Sequence, residues 1–116
     1  MKKIKIKPLL PTLREKKRYV VFEVISKTPL DANDVYASIT QVMLAFIGAF
    51  GMAGGGILYI KDKYKNNRGI VRCNNRFVDH VRASFALLTH IQGTPAMVRS
   101  VGTSGILKKA LKYIPR

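Results

Sequence analysis

From Val35 to Ile60 the chain carries no charged side chain, with Asp31 and Asp34 just before the run and Lys61 just after it. A segment this long and apolar has two destinations, a bilayer or a protein interior. Its glycines favour the second: Gly51, Gly54, Gly55 and Gly56 crowd its last third and interrupt the helix where a membrane span needs unbroken hydrogen bonding. Ahead of them Val35, Ile39, Val42, Met43, Phe46 and Phe50 recur at helical spacing. Asp31 is placed to cap the N-terminus, and Asp34 falls in the first turn, where the helix dipole favours an acid. The pattern predicts a helix of about five turns that ends at Gly51. Tyr36, Leu44 and Ile47 extend its apolar surface around a second face, so something other than water is expected to cover it.

The remainder of the chain is basic. Lys and Arg number 21 against 6 Asp and Glu, a net charge of +15, yet residues 28 to 60 hold no Lys or Arg at all. An apolar fraction of 47% is too high for a disordered tail, so the charge sits on something folded. Such a domain repels itself, a cost tolerated where a polyanion neutralises it, and nucleic acid is the commonest polyanion. A length of 116 residues suits one domain, with residues 1–11 expected as a flexible basic arm. The lysines at the start are followed by Pro8, Pro11 and Arg14 and not by the apolar stretch of a secretory signal. The single cysteine, Cys73, forms no internal disulfide, and a cytoplasmic location is expected.

Local patterns order the elements. Tyr19 to Ser26 is β-branched and aromatic and reads as a strand. Ile57–Lys63 and Gly69–Asn74 read as a hairpin around Asn66 and Asn67. Asn74 or Asn75 is placed to cap a second helix, with Phe77, Val78, Val81, Phe85 and Leu88 as its stripe and its end near Gln92-Gly93. Pro95 to Val101 reads as a fourth strand. Thr103 or Ser104 then caps a last helix carrying Ile106, Leu107, Ala110, Leu111 and Ile114. The order β-α-β-β-α-β predicts an α+β sandwich of the ferredoxin-like, RRM-like kind: a four-stranded antiparallel sheet with two packed helices, plus short N-terminal and C-terminal helices.

Acid-base or metal chemistry needs converging groups, and the supply is small. Asp31 and Asp34 serve the helix start, Glu23 is expected alone in its strand, and His80 and His90 fall on one predicted helix without the i, i+4 spacing of a shared metal. No catalytic residue, metal site or bound cofactor is assigned. Cys73, at a strand end beside Arg72, reads as a buried structural thiol. Gly54-Gly55-Gly56 lacks the Lys-Ser/Thr ending of a phosphate loop and reads as a flexible turn. The basic surface remains. Arginine is its more specific signal, because a planar fork pairs two phosphate oxygens whereas lysines often only solvate. Arg14, Arg18, Arg68, Arg72, Arg76, Arg82 and Arg99 are the candidates, joined by Lys16, Lys17, Lys108 and Lys109. Strand three reads Arg68-Gly69-Ile70-Val71-Arg72-Cys73, without the aromatics on which single-strand readers stack bases. Contact through phosphates and shape is therefore expected.

Leu10-Pro11-Thr12-Leu13-Arg14-Glu15-Lys16-Lys17-Arg18-Tyr19 resembles the opening of ribonuclease P protein component 2, an archaeal and eukaryotic family. Gly69 to Cys73, Val78 to Ala83 and Val98 to Gly105 resemble its later blocks in the same order. The resemblance implies a subunit that pairs with ribonuclease P protein component 3, as a homodimer within a heterotetramer, and supports the ribonuclease P RNA. That RNA, with magnesium, removes the 5′ leader of precursor tRNA, which the subunit meets only indirectly. It marks Arg14, Lys16, Lys17, Arg18, Arg72, Arg82 and Arg99 as RNA contacts. The apolar helix becomes the partner interface, through Val35, Ile39, Leu44, Phe46, Ile47 and Phe50. The Gly51–Gly56 stretch is richer in glycine than the family pattern. A generic RNA- or ribosome-associated basic protein and a small membrane-associated protein are the alternatives, and no membrane partner is expected.

Overall fold

The computed structural model describes residues 16–115. The expected basic arm, N-terminal helix and Arg14 lie outside the described residues.

Strand β1, Lys17–Ser26, is the centre of the sheet. Val20, Phe22 and Val24 are buried on one of its faces and Val21 on the other, as a strand covered on both sides requires. It pairs antiparallel with β3, Arg68–Asn74, on one side and with β5, Thr94–Ser104, on the other. Leu58–Tyr59, β2, extends the sheet beyond β3, and His90–Ile91, β4, beyond β5, giving the order β2-β3-β1-β5-β4. The predicted split βαβ core is present, but the sheet has five strands and not four. The second helix, α2, stops at Leu87 instead of reaching Gln92-Gly93. Gln92 and Gly93 take φ values of 51° and 76°, the tight turn that pairs His90 with Pro95 and Ile91 with Thr94. Asn66 and Asn67, at φ 53° and 63°, make the turn expected between β2 and β3. The arm before it is shorter than predicted, because Lys61–Lys63 form a 3-10 turn.

The uncharged segment folds as helix α1, Ala32–Gly54, which runs past the predicted end at Gly51. Gly48 breaks it, with φ 84° and ψ 166°, backbone that a side chain resists. Ahead of the break Val35, Tyr36, Ile39 and Met43 are buried on the sheet. Each such apolar side chain withdrawn from water contributes about 1.5–3 kcal/mol. Tyr36, expected on a second apolar face of the helix, is a core residue: its hydroxyl donates to the Ile70 carbonyl and accepts from the Ile70 amide, both at 3.1 Å. Burial drives its pKa upward. By length and hydropathy α1 is capable of crossing a membrane, with a mean hydropathy of 1.6, but here its first half is a core helix. Asp31 occupies the N-cap without a side-chain capping bond.

Helices α1 and α2, Val78–Leu87, cover one face of the sheet, packing on Val71, Cys73, Ala96 and Val98. The opposite face is closed by the C-terminal segment. Helix α3, Leu107–Ala110, and the turn Leu111–Tyr113 lay Ala110, Leu107, Leu111 and Ile114 over Val21 and Ile70. The surface on which RRM-type sheets expose base-stacking aromatics is thus partly filled by the chain itself. Asn74 does not cap α2, which a 3-10 turn at Asn75–Phe77 precedes; its side-chain amide donates to Gly54 O at 2.8 Å. With Asn74 N donating to Gly55 O at 2.7 Å, this ties the glycine turn, expected to be flexible, to the end of β3.

Candidate nucleic-acid interface

Antiparallel pairing decides which cations meet. The start of β1 lies beside the ends of β3 and β5: Lys17 is opposite Asn74, Arg18 opposite Cys73 and Tyr19 opposite Ser104. Lys16, Lys17 and Arg18 therefore share one end of the sheet with Arg76, in the turn after β3, and with α3, which carries exposed Lys108 and Lys109. The Lys16 carbonyl accepts from Asn75 N at 2.6 Å, fixing the two segments together. Lys17 Nζ donates to the Asn74 side-chain oxygen, and Arg18 Nη1 donates to Lys17 O at 3.0 Å. The six cations are separated by up to 93 positions in sequence, from 16 to 109, and only the fold assembles them.

Farther along the sheet, the face that carries α3 bears a second arrangement. Glu23 lies directly between Arg68 of β3 and Arg99 of β5. Arg68 binds its Oε2 through Nε at 3.0 Å and Nη2 at 2.9 Å; Arg99 binds its Oε1 through Nε at 3.0 Å and Nη2 at 2.8 Å. Hydrogen bonds from Arg68 and then Arg99 hold the carboxyl below its ordinary range. The acid expected alone in its strand is therefore the most heavily paired acid among the described residues. A local signal pointed to it: in the alternation of β1 Glu23 falls on the side of Tyr19 and Val21, where an unpaired carboxylate is costly.

The other predicted contacts lie apart. Arg82 is exposed on α2, in the helix layer. Arg72 is half-buried across from Tyr19, and its Nε is buried without a hydrogen-bond partner among the described residues. Cys73 is fully buried, and burial pushes its thiol up to about 11 against the opposing effect of Lys17. The His80 ring lies against Phe77, tilted by 41° with centroids 5.2 Å apart, while His90 lies on β4, so the two histidines share no helix. No three His, Cys, Asp or Glu converge on a metal position among the described residues.

The predicted partner face divides at the middle of α1. Val35 and Ile39 are 0% and 1% exposed within the chain's own core and are not available to a partner. Ile47 is half-buried against that core. Leu44, Phe46 and Phe50 are exposed, Phe50 at 96%. Three exposed large apolar side chains within residues 44–50, one of them an aromatic ring that open to water, are characteristic of an interaction surface.

Fold and surface define a small basic α+β domain that gathers arginine and lysine at one end of its sheet and presents a separate apolar helix end. The model of the Rpp14/Pop5 family matches residues 18–115, and the chain belongs to that family. It is 37% identical over 109 residues to ribonuclease P protein component 2 of Pyrococcus abyssi, covering 94% of this chain and 92% of that one. The protein of the same name from Methanosarcina barkeri is 39% identical over 106 residues, covering 90% and 76%. A chain in the cryo-EM structure of yeast ribonuclease MRP superposes with a TM-score of 0.65 at 15% identity, covering 86% of this chain and 92% of that one, a likeness of fold.

Proposed function

We propose that this chain is a protein subunit of ribonuclease P, binding and stabilising the catalytic RNA for removal of the 5′ leader from precursor tRNA. The observation that carries the reading is the collection of Lys16, Lys17, Arg18, Arg76, Lys108 and Lys109 at one sheet end in a member of the Rpp14/Pop5 family. Cations so placed neutralise phosphates where RNA segments pack closely, lowering the magnesium needed to fold the RNA. Catalytic groups and magnesium are assigned to the RNA. The exposed end of α1, at Leu44, Phe46 and Phe50, takes component 3, and two such pairs join through this chain in a cytoplasmic particle.

Reconstitution with the cognate RNA, component 3 and precursor tRNA tests the reading. Leaving the chain out should abolish most cleavage at low magnesium and spare it at high magnesium. RNA affinity should fall steeply with salt, by about 0.7–0.9 in log–log slope per neutralised phosphate. Cleavage indifferent to this chain at every magnesium level rejects it.

A further inference from the structure

The Arg68–Glu23–Arg99 ladder is asymmetric in a way that its charges alone do not require. Arg68 uses all three guanidinium nitrogens inside the protein, Nε and Nη2 on Glu23 and Nη1 on the Tyr113 carbonyl at 2.6 Å, and its side chain is 26% exposed. Arg99 uses only Nε and Nη2, both on Glu23, and is 60% exposed. Among the described residues Nη1 of Arg99 has no partner, so the edge between Nη1 and Nη2 is open. That edge is the fork that fits two oxygens of a phosphate.

Three further features suit a ligand. One carboxylate between two guanidiniums leaves one positive charge in excess. The covering segment passes beside Arg68, where the Tyr113 carbonyl meets it, while Arg99 on the other side of Glu23 keeps 60% of its side chain exposed. The next cross-strand rung is Ile25 opposite Met97, 45% and 62% exposed, an apolar step against which a ribose can pack.

We propose that Arg99 is a phosphate-binding residue of the RNA surface and that Glu23, anchored by Arg68, is the positioning residue that fixes its guanidinium plane. This rests on the RNA-binding reading above and extends it to a site on the sheet face, away from the cationic sheet end. Glu23 holds the inner edge of Arg99 flat against the sheet, so the outer edge meets a phosphate already oriented, without the rotamer entropy that a free arginine loses.

Loss of the Glu23 carboxylate separates two effects of opposite sign. Removing a carboxylate from a chain of net charge +15 strengthens its attraction to a polyanion if charge alone matters. If Glu23 positions Arg99, its removal weakens binding. The test measures affinity of the full chain for the cognate ribonuclease P RNA transcript over a series of KCl concentrations, with thermal melts confirming that each variant is folded. Arg99→Ala should weaken binding about tenfold, the scale of one charged contact, and lower the salt slope by about one phosphate. Glu23→Gln should also weaken it, and in the Arg99→Ala background should do nothing further. Arg99→Lys, which keeps the charge on an exposed position but lacks the fork, should fall short of the parent.

Glu23→Gln binding as tightly as the parent or more so overturns the proposal, as does additivity of the two substitutions. If Glu23→Gln does not fold, Arg99→Lys decides: affinity equal to the parent's rejects a positioned fork. A parent that binds the transcript with a steep salt slope while Arg99→Ala matches it rejects this site alone. A parent without salt-dependent binding rejects the RNA reading itself.

Discussion

Phe22 and Gly69 face each other directly across β1 and β3, and the Phe22 ring extends over the glycine. A β-carbon at Gly69 would stand 2.6 Å from Phe22 Cζ, 2.7 Å from the Tyr36 hydroxyl and 2.8 Å from Tyr64 Cδ2. Residue 69 is thus the floor of an aromatic cluster that joins α1 to the sheet. Gly69→Ala is expected to cost about 1–3 kcal/mol, the range for overpacking a filled core. A fall in the denaturant midpoint with an unchanged m-value checks it. A midpoint within error of the parent's contradicts the packing.

The two halves of α1 should respond oppositely to truncation. Ile39→Ala leaves a cavity under the helix and should destabilise the chain by about 2–4 kcal/mol. Phe50→Ala removes a ring that is 96% exposed and should leave the melting temperature nearly unchanged while weakening association with component 3. Calorimetric titration of both variants with component 3 separates folding from docking, and full affinity in Phe50→Ala moves the interface elsewhere.

Acid should loosen the sheet through Glu23. Its pKa is depressed in the folded chain from an ordinary value of 4.5, so it contributes stability that is fully present above that value. The contribution drains away as pH falls through the folded value. Solvent screening around Arg99 keeps it modest, about 1 kcal/mol. Denaturation series below roughly pH 5 should show a shallower loss in Glu23→Gln than in the parent. Parallel curves would show that the ladder is not linked to folding.

Ala110, the last residue of α3, is completely buried against the sheet beside Val21 and Ile70. Ala110→Asp places an uncompensated carboxylate there and should cost about 3 kcal/mol or more, releasing the C-terminal segment. Increased binding of a hydrophobic dye and faster proteolysis near residue 107 are the expected signs. An unaltered proteolysis pattern rules out a covering role for α3.

Much of the core was legible because it is written locally. The β-branched run of β1, the stripes of α1 and α2, the asparagine turn and the closing helix each carry their own period. Strand β4 escaped because His90–Ile91 is too short to show a period, and the turn that creates it consists of Gln92 and Gly93 at positive φ. Periodicity marks apolar residues, not covered ones, so it could not separate Ile39, inside the core, from Phe50, outside it. The alternation of β1 marks Glu23 as an acid in need of a partner, but its partners Arg68 and Arg99 follow from the register of three strands distant in sequence, which no local pattern encodes. The same is true of the cationic end: its members were identifiable as basic residues, but their assembly follows from where β1 begins relative to where β3 and β5 end.

The central position of β1 has a consequence during synthesis. The ribosome makes the middle strand before either of its two long neighbours, β3 and β5. Until β5 has cleared the exit tunnel, β1 has only one of its edges satisfied and the uncharged helix has an incomplete sheet to cover. Nascent chains should therefore engage chaperones until β5 emerges and release them abruptly as it pairs with β1. Stop codons placed before Thr94 should leave products that are cleared and not merely shorter, a burden that a strand order following the sequence would avoid.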